Sequence, residues 1–172
     1  ETEERVCFTE DYPFSELEKW FLSLMEEYKK WVVYEYNWKL QRKYSIQKME
    51  FPYVYREGQK ELAISVYRTI LRKKRLFIQA PTGVGKTLST LFPALKAIGE
   101  DLGDKIFYLT DRTITRTVAA ESLELLREQQ IKVKSIILTA KEKLCICEET
   151  ECNPDACPYA KGHFDRINEA VY

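Results

Sequence analysis

Two stretches of this chain carry residue types able to do chemistry. The first, Ile78-Gln79-Ala80-Pro81-Thr82-Gly83-Val84-Gly85-Lys86-Thr87, is an apolar run that enters a glycine-bearing loop and ends in Lys-Thr. A triphosphate carries dense negative charge and is best held by several converging backbone N–H groups. Glycines let the backbone approach it without a Cβ in the way. Ala80, Pro81, Thr82, Gly83, Val84, Gly85, Lys86 and Thr87 therefore read as a nucleotide-binding loop. In it Lys86 reaches the β- and γ-phosphates and the Thr87 hydroxyl takes one position on Mg²⁺, which makes these two the candidate catalytic residues. Ala80 stands where the strict form of the motif has its first glycine.

The second stretch is a cysteine cluster. One residue separates Cys145 from Cys147, four separate Cys147 from Cys152, and four separate Cys152 from Cys157. Four thiolates are the ligand count of a [4Fe-4S] cluster or of a structural Zn²⁺. His163, six positions past the last cysteine, is a possible substitute ligand but also an ordinary helix residue. The fifth cysteine, Cys7, reads as packed rather than reactive.

These residues need elements to hold them. Leu76–Gln79, Lys105–Thr110 and Lys134–Thr139 are short apolar runs of the kind that form buried parallel strands, and residues 5–9 could form another. Leu88, Leu91, Phe92, Leu95 and Ile98 recur at helical spacing directly after the loop. A second helix is expected from Gln59 to about Arg72, closing on the basic run Arg72-Lys73-Lys74-Arg75 as cations favour the negative end of a helix dipole. A third begins at Thr113 or Thr115 and ends near Gln129. Alternating strands and helices predict a parallel sheet flanked by helices, with the loop at a strand's carboxyl end.

Ahead of this lies a long helix from a Ser15 cap with Glu18 to about Gln41. Leu17, Phe21, Leu24, Tyr28, Trp31, Tyr34 or Glu35, and Trp38 repeat along it. Its aromatics could stack on bases beside Lys29, Lys30, Lys39, Arg42 and Lys43, or could dock on a neighbouring domain. A connector over 44–58 follows, and a last helical pattern still runs at Tyr172.

The 27 basic and 27 acidic residues balance, so any nucleic-acid footprint must be local. No apolar run approaches a membrane span, the acidic start is unlike a signal peptide, and a cytoplasmic location without membrane partners is expected. Clustered cysteines without a secretion signal point to a metal centre before disulfides. The absence of an initiator Met suggests a piece of a longer chain.

The loop, the Thr-Asp-Arg-Thr run at 110–113 and the cysteine cluster together resemble the XPD/DinG group of superfamily-two iron-sulfur DNA helicases, in particular bacterial members with an upstream nuclease-like domain. The likeness covers residues 51–172 and, more loosely, the helix before them. It implies a P-loop NTPase (RecA-like) α/β fold: a linker over 1–50, part of the first motor lobe over 51–140, and the start of an iron-sulfur domain over 141–172. It implies that Gln59 is the glutamine of an adenine-recognising Q motif, that Arg112 and Thr113 contact the DNA backbone, and that Cys145, Cys147, Cys152 and Cys157 bind a [4Fe-4S] cluster. ATP and Mg²⁺ are then the further cofactors. Single-stranded DNA or its junction with duplex, the remaining helicase lobes and an upstream nuclease-like domain are the partners. The chain contains no Asp-Glu dipeptide. The acidic box that holds Mg²⁺ and orients the attacking water in the family is therefore missing, which implies that the chain can bind nucleotide but not hydrolyse it. A non-catalytic, metal-stapled nucleotide- or DNA-binding module would explain the same absence.

Overall fold

The computed structural model describes residues 7–81, 83–111, 113–147 and 151–171, the side chains of 168–171 excepted. The chain divides into two compact units, Glu1–Val133 and Lys134–Tyr172. The first contains helices α1 (Phe14–Gln47), α2 (Gln59–Leu71), α3 (Lys86–Gly99) and α4 (Thr113–Arg127), and the second α5 (Lys141–Leu144) and α6 (His163–Val171).

Among the described residues there is no strand, and the expected parallel sheet is not formed. Residues 76–79, 105–110 and 134–139 run without regular structure. Their side chains face solvent: Phe77 is 93% exposed, Leu109 87% and Ile136 81%. A parallel sheet needs paired neighbours and a cover on both faces. Here α3 packs against α1, α2 and α4 and no layer covers these segments. Of the run at 5–9, residues 7–9 are irregular and the rest lies outside the described residues.

Helix α3 is the centre of the first unit, packing on α1, α2 and α4. Its core stripe, Leu88, Leu95 and Ile98, meets Ile46 and Met49 from the end of α1 and just beyond it, with Leu126 and Ile131 from the other side. Phe51 joins them by stacking on Tyr55 at 4.1 Å and presenting an edge to Phe92 at 5.3 Å. Gly99 is required where α1 crosses, because a Cβ there would lie 2.6 Å from Cγ2 of Ile46. Within α3, Pro93 cannot donate to the Ser89 carbonyl one turn back. The Ser89 hydroxyl is sealed from solvent with no hydrogen-bond partner among the described residues.

The end of α1 is fastened by polar contacts as well as by packing. Lys96 donates to the carbonyls of Ile46 and Gln47 at 3.2 and 3.0 Å, supplying the cation that the last turn of α1 lacks. Gln129 donates to the Glu50 carbonyl and accepts from the Glu50 N–H, at 2.9 and 2.8 Å. Lys43 pairs with Asp101, and Arg42 with Asp104. The helix runs to Gln47, beyond the expected Gln41, and begins after Pro13 with no side-chain cap, so Ser15 lies inside it.

Candidate nucleotide site and cysteine cluster

Glycine opens both helices that flank the candidate nucleotide loop. Gly58 precedes α2 with φ +76°, and Gly85 precedes α3 with the same value. Neither helix start has a side-chain cap, so the N-terminal N–H groups of α3 face the loop without a competing side-chain acceptor. At Gly85 the requirement is double. Its φ is left-handed, and a Cβ would stand 2.4 Å from Nε2 of Gln59.

Three side chains grip the loop by its carbonyls. Gln59, buried at the start of α2, donates through Nε2 to the Val84 carbonyl at 2.7 Å. Its Oε1 accepts from the Arg56 N–H at 2.8 Å, which fixes the orientation of the amide. The Arg56 guanidinium donates to the Gly83 carbonyl at 3.0 Å. Lys86 turns back and donates to the carbonyls of Ala80 and Pro81, at 2.9 and 2.7 Å. The Thr87 hydroxyl lies 3.4 Å from that of Tyr108.

Two clefts open on this assembly. One of about 280 Å³ is lined by Tyr53, Val54, Arg56, Gln59, Gly85 and Leu88. The other, of about 480 Å³, includes Gly58, Leu62, Gln79, Ala80, Pro81 and Val84. Concave surface beside a glycine-bearing loop and the Lys86 ammonium can hold a phosphorylated ligand with an attached ring.

Of the expected site residues, Gln59, Ala80, Pro81, Gly83, Val84, Gly85, Lys86 and Thr87 are thus brought into one neighbourhood. Thr82 and Arg112 lie outside the described residues, and Thr113 is exposed as the first residue of α4. Sequence reasoning gave Arg56 no role of its own. Its signal was its place just ahead of the helix that Gln59 opens, within reach of the same loop.

The second unit carries the cysteines. Cys145 follows α5 and is half-buried, as is Cys147, whereas Cys157 is buried and Cys152 exposed. Burial, together with the neighbouring thiols of Cys145 and Cys157, pushes the Cys147 thiol up from the ordinary range. Cys145 and Cys157 thus neighbour Cys147, whereas Cys152 stands at the surface. Among the described residues no group of three or more His, Cys, Asp or Glu side chains has an arrangement that could hold a metal ion. His163 opens α6 with its ring edge-on to Phe164 at 5.4 Å. Cys7, expected to be packed, is exposed. No helix is long and apolar enough to cross a membrane among the described residues.

Comparison with known proteins adds a family. Residues 60–155 match the DEAD/DEAH box helicase family, a span that begins beside Gln59 and reaches into the cysteine cluster. A protein of Methanocaldococcus jannaschii described as a probable ATP-dependent helicase is 51% identical over 49 residues, 28% of this chain and 8% of that protein. The chain thus aligns with only a small part of that relative's length. No solved structure matches.

Proposed function

Because the chain belongs to the DEAD/DEAH box helicase family, we propose that it is the nucleotide-binding part of an ATP-driven DNA helicase of the XPD/DinG iron-sulfur type. The observation that carries the reading is the grip of Gln59 and Arg56 on the carbonyls of Val84 and Gly83. It couples a ring-sized cleft at Tyr53, Val54 and Gln59 directly to the phosphate loop. Adenine occupies that cleft in this reading, with Gln59 sensing the base on one side and the loop on the other. Lys86 leaves the carbonyls of Ala80 and Pro81 to meet the β- and γ-phosphates, exchanging neutral acceptors for charged ones. The Thr87 hydroxyl supplies one ligand to Mg²⁺, whose chemistry is to neutralise charge developing on the phosphates.

Arg112 and Thr113 would hold the DNA backbone. The four cysteines at 145–157 would hold a [4Fe-4S] cluster, or in the second case Zn²⁺. Cys145 and Cys157 neighbour Cys147, but the described residues are not arranged to hold a metal as they stand. The exposed Cys152 does not yet join them, so ligation would have to draw the loop inward. Domain limits at 50/51 and 140/141, and a junction with an upstream nuclease-like domain, belong to the same proposal.

Without an Asp-Glu dipeptide in its 172 residues, the chain binds ATP but does not hydrolyse it. The test is phosphate release by the purified chain with Mg·ATP and single-stranded DNA. The expected result is nucleotide binding with no DNA-stimulated turnover. Robust turnover by this chain would refute the division of labour.

A further inference from the structure

Helix α1 is longer than its seat. Ile46 and Met49, 0% and 1% exposed, fix its C-terminal end against α3, the one helix it packs on among the described residues. From Phe14 to Lys30 every residue is exposed, large apolar ones included. Continuous apolar surface of this kind on an extended helix marks an interaction site. The apolar positions are ordered. Exposed Leu17, Phe21, Leu24, Tyr28 and Glu35, with half-buried Trp31 and Trp38, recur at alternating spacings of four and three, the seam of a coiled coil.

Charge selects what covers that seam. From Glu10 to Glu27 six carboxylates stand against one lysine, and from Lys29 to Lys48 six cations stand against one carboxylate. A helix acidic in one half and basic in the other is complementary to itself only when reversed. We propose that α1 pairs antiparallel with α1 of a second copy of this chain, across a two-fold axis.

The heptad pattern then fixes the register. Phe21 faces the partner copy's Trp38, Tyr28 its Trp31 and Leu24 its Glu35, while Glu18 and Met25 on the flank meet its Lys39 and Val32. The neighbouring register, with Phe21 on Trp31, sets Glu27 against its own copy and loses the Glu18–Lys39 pairs. Glu35, the one charged residue in the seam, gives up stability to hold that register. The arrangement is isologous, so every contact occurs twice.

This inference stands apart from the nucleotide site, which no residue of the seam touches in the contacts described above. Sedimentation equilibrium of the 172-residue chain across the micromolar range tests it, with far-UV circular dichroism confirming equal helicity in each variant. The wild-type chain should dimerise. Glu18→Lys and Lys39→Glu should each weaken the dimer by about tenfold, since two attractive pairs become repulsive. The double exchange should restore wild-type association, and Glu35→Leu should tighten it. A chain that stays monomeric both as wild type and as Glu35→Leu overturns the proposal. So does a double exchange that recovers nothing, or an α1 that binds single-stranded DNA or a different protein while remaining monomeric.

Discussion

Gln59 works at two places at once, because its amide is oriented by the Arg56 N–H at 2.8 Å and spends its own donor on the Val84 carbonyl at 2.7 Å. Gly85→Ala attacks that arrangement by placing a methyl group 2.4 Å from Nε2 and by straining a left-handed φ. It should destabilise the first unit by about 1–3 kcal/mol, read by urea denaturation, and should weaken ATP binding along with it. Ser89 offers the opposite case. Its sealed hydroxyl makes no hydrogen bond among the described residues, so Ser89→Ala removes a desolvation cost and should raise stability by about 1 kcal/mol. A loss of similar size would show that the hydroxyl has a partner.

The joint between α1 and α3 should be the most sensitive packing contact. Ile46→Ala there should cost about 2–5 kcal/mol through lost burial and a cavity, measured by thermal or urea unfolding. Lys96 adds a pH dependence. Burial lowers its pKa from the usual lysine value, against a smaller opposing effect of Glu100 and then Glu50. Between the lowered value and the ordinary one the unfolded chain binds more protons than the folded chain, so Lys96 makes stability rise with pH across that window. Lys96→Met should flatten the rise while exposing the carbonyls of Ile46 and Gln47, and a chevron or melting series on the alkaline side would show it.

Periodicity made the helices legible. The spacing of Leu62, Tyr67 and Ile70, and of Leu88, Leu91, Leu95 and Ile98, marked α2 and α3 to within a residue or two. The strands were misread for a physical reason. An apolar run such as Lys105–Thr110 states what a segment would bury, and it does not state whether paired neighbours and covering layers exist to bury it. Gly85 was legible because the turn into α3 demands a left-handed φ there. Gln59 was singled out only through family likeness, and its bond to the Val84 carbonyl 25 positions away could not be read from a lone glutamine.

At the level of the chain, the family match runs over 60–155, ending inside the cysteine cluster, and each unit carries its own test. In the second unit, Cys157→Ser removes the buried thiol beside Cys147. If the four cysteines hold a [4Fe-4S] cluster, anaerobically purified chain should contain iron and sulfide and absorb in the visible, and the variant should lose both. Zinc without sulfide would favour the alternative metal, and unchanged iron and colour in the variant would remove Cys157 from the donor set.

In the proposed function the loop from Ala80 to Thr87, held by Gln59, binds an adenine nucleotide. Calorimetric titration of the chain with Mg·ATP and with Mg·GTP, repeated on Lys86→Ala, measures it most directly. ATP should bind more tightly than GTP, and Lys86→Ala should lose about tenfold or more of the ATP affinity, because an ammonium–phosphate contact is charge-assisted. Absence of ATP binding, or equal affinity in wild type and Lys86→Ala, would contradict it.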